Sequence, residues 1–135
     1  MEITRRTDYS IRMLQELVRC GGGPVSVREL AERQHVPYAF ARAVQRDLVG
    51  AGFITTVRGA KGGAVLARDA DTITLYDVVT AMQGAPSVAV CAHDPAWCEF
   101  SGGCAVHTVW CEADEMLRAF LGSKTLAGLS VEERK

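Results

Sequence analysis

The stretch "RGAKGG", residues 58–63, constrains the fold more than any other part of the chain. It separates two short β-patterned runs, "FITTV" (53–57) and "AVLAR" (64–68). Gly59, Gly62 and Gly63 reach backbone dihedrals that a hairpin tip needs and that other residues adopt only with strain. Arg58 and Lys61 make that tip basic. A hairpin this short cannot stand alone in water, so it must lie against the three helical patterns that precede it.

The first of those patterns spans 7–20, with Thr7 or Asp8 as its cap and Ile11, Leu14, Leu17 and Val18 on one face. "GGGP" (21–24) stops it. Ser26 and Glu29 have the spacing of a capping box and open a second helix with Val27, Leu30 and Ala31 as its apolar side. After the break "QHV", Pro37 is placed to begin a third helix that packs through Phe40, Val44 and Leu48 and ends at Gly50 or Gly52. "TLYDVVTAMQG" (74–84) predicts a fourth, capped at Thr74. Further on, Val106, Val109, Trp110, Ala113, Met116, Leu117, Phe120 and Leu121 recur at three- and four-residue spacing, the mark of a long amphipathic helix. "KTLAGL" predicts one more helical turn, and "SVEERK" (130–135) is assigned no order.

The fold class is therefore mainly α with a small β-hairpin: a winged helix-turn-helix domain over 1–84, a cysteine-rich loop over 85–104, and a dimerisation helix with a C-terminal tail over 105–135. Charge agrees with a polyanionic partner. Residues 1–68 carry 11 Lys and Arg against 6 Asp and Glu, whereas residues 69–135 carry 4 against 10. The third helix presents Tyr38, Ala39, Arg42 and Arg46 on the side away from its apolar residues, where a recognition helix meets the major groove of duplex DNA. Arg42 is suited to a bidentate contact with guanine. Arg58, Lys61 and Gly62 of the wing are suited to the phosphate backbone or the minor groove. The bland alternative is a winged domain used for protein contact.

Four of the five cysteines and two of the three histidines fall in "VCAHDPAWCEFSGGCAVHTVWCEADEM" (90–116). No apolar leader and no run long enough for a membrane span is present, so the expected location is the cytoplasm, where thiols stay reduced. The odd cysteine count also argues against a disulfide framework. Cys91, Cys98 and Cys104, with Gly102 and Gly103 to bend the chain, suit an iron–sulfur cluster; zinc and a metal-free thiol switch remain alternatives. Zinc is disfavoured by the lack of a short Cys-x₂₋₄-Cys knuckle. Cys111 reads as a packing or spare thiol, Cys20 as a buried inert one, and His93 as solvated. No phosphate loop, dinucleotide fingerprint or paired catalytic carboxylates point to an enzyme, and a small iron–sulfur electron carrier is a lesser alternative.

The opening "TDYSIRML", the wing "VRGAKGG", "ITLYDVVTAM", the cysteine loop and "TLAGL" together resemble the Rrf-two superfamily of bacterial transcription regulators (IscR/NsrR-like) across nearly the whole chain. The resemblance implies a homodimer on pseudo-palindromic promoter DNA, acting as a repressor whose affinity follows a cluster sensing iron, nitric oxide or redox state. It implies Cys91, Cys98 and Cys104 as ligands. For the fourth it offers two: His107, within "CAVHTVW", which suits a 2Fe–2S cluster and is preferred, or Asp8 from the partner subunit, which suits 4Fe–4S. His107 also suits a helix start, and Asp8 an ordinary cap. The resemblance places Arg42 where IscR-like members carry a glutamate that helps to choose the DNA site. Trp110, Met116, Leu117 and Phe120 are the expected dimer seam.

Overall fold

A computed structural model describes residues 1–131. Residues 132–135 of the tail, for which no order is expected, lie outside the described residues. The elements run α1 (Arg5–Arg19), α2 (Val27–Gln34), α3 (Tyr38–Gly50), β1 (Ile54–Val57), β2 (Gly63–Leu66), α4 (Leu75–Gln83), α5 (Val90–His93), α6 (Ala105–Gly122) and α7 (Leu126–Val131). Short 3-10 turns lie at Ala70–Thr72 and Pro95–Trp97. The last helix includes Ser130 and Val131, so order extends two residues beyond the expected limit.

Helix ends differ from expectation where burial overrides local chemistry. Thr4, not Thr7 or Asp8, caps α1 by accepting a hydrogen bond from the Thr7 amide at 3.2 Å. Thr7 is fully buried, with its hydroxyl 2.9 Å from that of Thr4. Asp8 lies in the first turn, where its charge complements the helix dipole. Ser26 caps α2 by accepting from the Glu29 amide at 3.2 Å. The reciprocal half of that box is not formed, because the Glu29 carboxylate turns to Arg33 one turn on, at 3.4 Å. At α4 both halves are present: the Asp77 amide donates to Thr74 and the Thr74 amide to Asp77, at 3.1 and 3.0 Å. Pro37 sits just outside α3 as its cap residue.

α1 is the centre of the core. Met13, Leu14 and Leu17 meet Leu30 of α2, Ala41, Val44 and Leu48 of α3, Ile54 of β1, and Val78 and Met82 of α4. Phe40 does not pack inward as its position suggests. It is 37% exposed and its ring meets that of Tyr9 edge-on, with centroids 5.1 Å apart. Ala41 takes the inward position in that turn, whereas Val44 and Leu48 are buried as expected. Glu16 is the buried carboxylate of the head, accepting from Arg19 at 2.9 Å and from Gln34 at 3.0 Å, with Arg33 at 3.6 Å. Such a group is tolerated inside only with partners, so it fixes α1 against α2. Cys20 is half-buried, and its sulfur accepts a hydrogen bond from Arg33 at 3.0 Å. It is not fully buried, contrary to expectation.

β1 and β2 pair antiparallel, Ile54 with Leu66 through Val57 with Gly63. Val25, just ahead of α2, joins Ala64 through hydrogen bonds of 3.0 and 2.8 Å and so ties the wing to the helical head. Gly63, at φ +153°, lies so close to Val25 that a Cβ would fall 2.4 Å from its carbonyl. Gly62 is equally constrained: a Cβ there would lie 2.0 Å from the Val57 oxygen.

Beyond α6 the chain returns to the head. The Leu75 amide donates to Lys124, and the Leu126 amide to Ile73, both at 2.9 Å. Leu126 is fully buried in the same core as α1. Among the described residues no helix is long and apolar enough to cross a membrane.

Candidate nucleic-acid interface and cysteine centre

α2 ends at His35, whose φ of +53° is left-handed, and the turn is pinned by buried Val36 before α3 begins. α3 buries Ala41, Val44 and Leu48. Its other face leaves Tyr38, Ala39, Arg42 and Arg46 exposed together. Neither Arg42 nor Arg46 has an ion pair or hydrogen bond among the described residues, so both guanidinium groups are available to a ligand. The wing exposes Arg58 and Lys61 at its tip, with Gly62 half-buried beneath them. Sequence reading missed one cation: Arg28 of α2 lies over the Tyr38 ring, 4.4 Å from its centroid. Only the fold brings it to the start of α3, although its position two residues past the Ser26 cap marks it as a first-turn residue on the polar side. The surface thus offers unpaired cations at two elements, the distribution that phosphate neutralisation requires.

The cysteines gather at the other end of the chain. Cys91 lies in α5, Cys98 follows the 3-10 turn, Cys104 caps α6, and Cys111 stands two turns into α6. All are free and half-buried. The Cys91 thiol is held above its ordinary pKa, first by partial removal from water and then by the negative charges of Cys98, Cys111 and Cys104. The other three sulfurs thus lie near enough to oppose the ionisation of Cys91, and a cation beside a thiol inverts such opposition. Among the described residues no three ligating side chains already converge on one metal position. The donor set itself, thiolates with an imidazole beside them, is that of an iron–sulfur or zinc centre.

His107 places Nε2 3.5 Å from the Cys111 sulfur, and its Nδ1 is enclosed with no partner among the described residues. Asp114, further along α6, accepts from the Ser87 hydroxyl at 2.6 Å and the Val88 amide at 2.8 Å. That clamp holds the start of the cysteine loop against α6. Asp8 is elsewhere: its carboxylate lies 3.2 Å from Arg12 on the surface of α1. His93 is exposed.

No residue of α6 is buried. Met116 is 74% and Phe120 59% exposed, Trp110 less so, and Leu117 is half-buried. Val106 and Val109, absent from the expected seam, are each more than half exposed and extend the apolar strip toward the cysteine centre.

Residues 3–132 match the family model Rrf2, described as an iron-dependent transcriptional regulator. Protein rrf2 of Nitratidesulfovibrio vulgaris is 34% identical over 130 residues, covering 96% of this chain and 87% of that protein. The HTH-type transcriptional regulator IscR of Yersinia pestis is 29% identical over 130 residues, covering 96% and 79%. Among solved structures, CymR, the global cysteine regulator of B. subtilis, superposes with a TM-score of 0.79 at 25% identity over 99% of both chains. T. potens IscR does so with a TM-score of 0.77 at 23% identity, over 100% of this chain and 93% of that one. With a winged head whose recognition face is cationic and a match that spans nearly its full length, the chain is a DNA-binding transcription regulator, not an enzyme, and belongs to the Rrf2 family.

Proposed function

We propose that this regulator is a homodimeric repressor whose promoter affinity is set by an iron–sulfur cluster on Cys91, Cys98 and Cys104. The observation that carries the reading is a half-buried set of free thiols on one loop and the start of α6, with the loop clamped to α6 by Asp114. Thiolates are the donors that such a cluster takes. A bound cluster supplies a centre that iron supply, nitric oxide or oxidants can dismantle. The chain's own contribution is the loop, held to α6 by Asp114, so that ligation orders a segment lying between the head and the helix proposed to dimerise. The reading puts the protein in the cytoplasm, where thiols stay reduced.

Anaerobic purification followed by absorption spectroscopy, iron and sulfide analysis, and promoter binding by both forms tests this. Visible absorbance with matching iron and sulfide, and different promoter affinities for the two forms, is expected. A second reading, a metal-free thiol switch, draws on the likeness to CymR and on the lack of a preformed three-donor geometry among the described residues. Colourless protein whose promoter binding changes on thiol oxidation selects it instead.

At the DNA, Arg42 reads a base and Lys61 and Arg58 hold phosphates. Arg42→Ala is expected to cost about 1–3 kcal/mol and relax preference at one base pair. Lys61→Ala is expected to weaken binding to all sequences alike and to flatten the dependence on salt. Fluorescence anisotropy over a salt series with operator and scrambled duplexes checks both. Parent-like binding by both variants overturns the contact assignment.

The strip on α6 is covered by a second copy. An exposed apolar face of this extent is rare on a monomer, and a two-fold axis there presents two recognition helices to two half-sites. Sedimentation of apo and holo protein at micromolar concentration is expected to give a dimer in both, and a monomer in both refutes it.

A further inference from the structure

We infer that Arg28 of α2 is a phosphate-binding residue of the DNA face, and that Tyr38 positions it through its ring rather than touching DNA through its hydroxyl. The inference rests on the DNA-contact reading above and deepens it, adding α2 to the recognition helix and the wing.

The sequence puts Arg28 where local chemistry disfavours it. It is the second residue of α2, after the Ser26 cap, and a cation there opposes the helix dipole. Among the described residues no carboxylate pairs with it. Glu29, in the same turn, pairs with Arg33. Glu32 stands one turn on, at the spacing of a helical ion pair, and lines the same cleft, yet does not bond to Arg28. The guanidinium instead lies over the Tyr38 ring, 4.4 Å from its centroid. An exposed contact of this kind is weak. It accounts for where the group is held, not for why a cation stands there.

A ring contact occupies no hydrogen-bond acceptor, so the N–H donors of Arg28 stay free for a phosphate, which a guanidinium meets bidentately. Tyr38 fixes where those donors sit. It opens α3 and shares one side of that helix with Arg42 and Arg46, at four-residue spacing. Arg28 therefore prolongs the line of unpaired cations past the end of the recognition helix. In a helix-turn-helix the first helix crosses the DNA backbone while the second enters the groove. That sets Arg28 of α2 toward phosphates and Arg42 of α3 toward bases. The carboxylate of Glu32 repels a phosphate at this corner, and Arg28 offsets it.

The test measures binding of the full chain to a fluorescein-labelled duplex that the parent selects from a random library, and to a scrambled duplex of equal length, over a salt series. Arg28→Ala is expected to weaken binding to both by the same factor and to flatten the plot of log affinity against log salt by about 0.9 per bound subunit. Arg28→Lys keeps the charge but not the planar fork, and is expected to keep the parental slope at reduced affinity. Tyr38→Phe is expected to bind like the parent, and Tyr38→Leu to lose affinity with the slope kept. A merely structural role for Arg28 lowers affinity and Tm without moving the slope. If Arg28→Ala melts early, Arg28→Gln, which keeps a long polar stem, gives the slope instead. Lys61→Ala is the reference. A flattened slope there beside a parental slope in the Arg28 variant overturns this inference and leaves the contact reading standing. Parental slopes in both remove the two together. Tyr38→Phe as weak as Tyr38→Leu, or Tyr38→Leu as tight as the parent, overturns the positioning role.

Discussion

Cys98→Ala protein, purified without air, is expected to be colourless and fully folded, with promoter affinity shifted roughly 5–150-fold from that of the loaded parent, the usual span of a coupling between two sites. Cys98 follows an exposed turn and is only half-buried, so its thiol contributes little to the core. What is lost is the tie between the loop and iron. A ligand shifts a conformational equilibrium only by binding one state better than the other, so removing it changes promoter affinity and leaves the fold intact. Cys104→Ala is expected to behave in the same way, although Cys104 also caps α6. The checks are absorbance, iron content, the far-ultraviolet dichroism spectrum and a promoter titration on one preparation. Mutants with full iron content and native regulation would remove the loop from the sensing role.

Leu126→Ala is expected to destabilise the fold by about 2–5 kcal/mol and to lower Tm by on the order of 10 °C. Leu126 is fully buried, packs in the core that holds α1, and donates its amide to Ile73 at 2.9 Å. Truncation leaves a void between helices distant in sequence, where little can collapse to fill it. Met116→Ala is the matched control, because Met116 is 74% exposed and belongs to the strip proposed to dimerise. It is expected to weaken self-association and leave the isolated fold's core untouched. Thermal melts at two protein concentrations separate the two effects. A Leu126→Ala melt within about 2 °C of the parent would show that the returning segment does not support the head.

The elements legible in the sequence are those fixed by local chemistry. Gly59 announces the hairpin through its left-handed φ and Gly62 and Gly63 through close backbone approaches, and Ser26 and Thr74 announce helix starts because a hydroxyl satisfies an orphan amide. What escaped depends on neighbours far along the chain. Thr7 looks like a cap until burial claims it and Thr4 takes the role. Phe40 looks like core until Ala41 proves to hold the inward phase and Tyr9 offers the ring an edge. Val106 and Val109 fit the amphipathic pattern, yet only their exposure shows that they extend the strip. At the cysteine centre the spacing of the loop thiols was readable. Arg28 gains meaning only when the Tyr38 ring lies beneath it.

The return of the chain through Leu126 has a consequence for how the protein is made. Synthesis proceeds from the N-terminus, so Cys91, Cys98 and Cys104 emerge from the ribosome before Leu126 does. The core around α1 is not complete until that side chain arrives. Every nascent molecule therefore passes through an interval in which its thiols are already available to iron while its reader of DNA is still incomplete. A product broken off before residue 126 keeps the thiols proposed to bind metal but lacks a side chain of the core that supports the reading head.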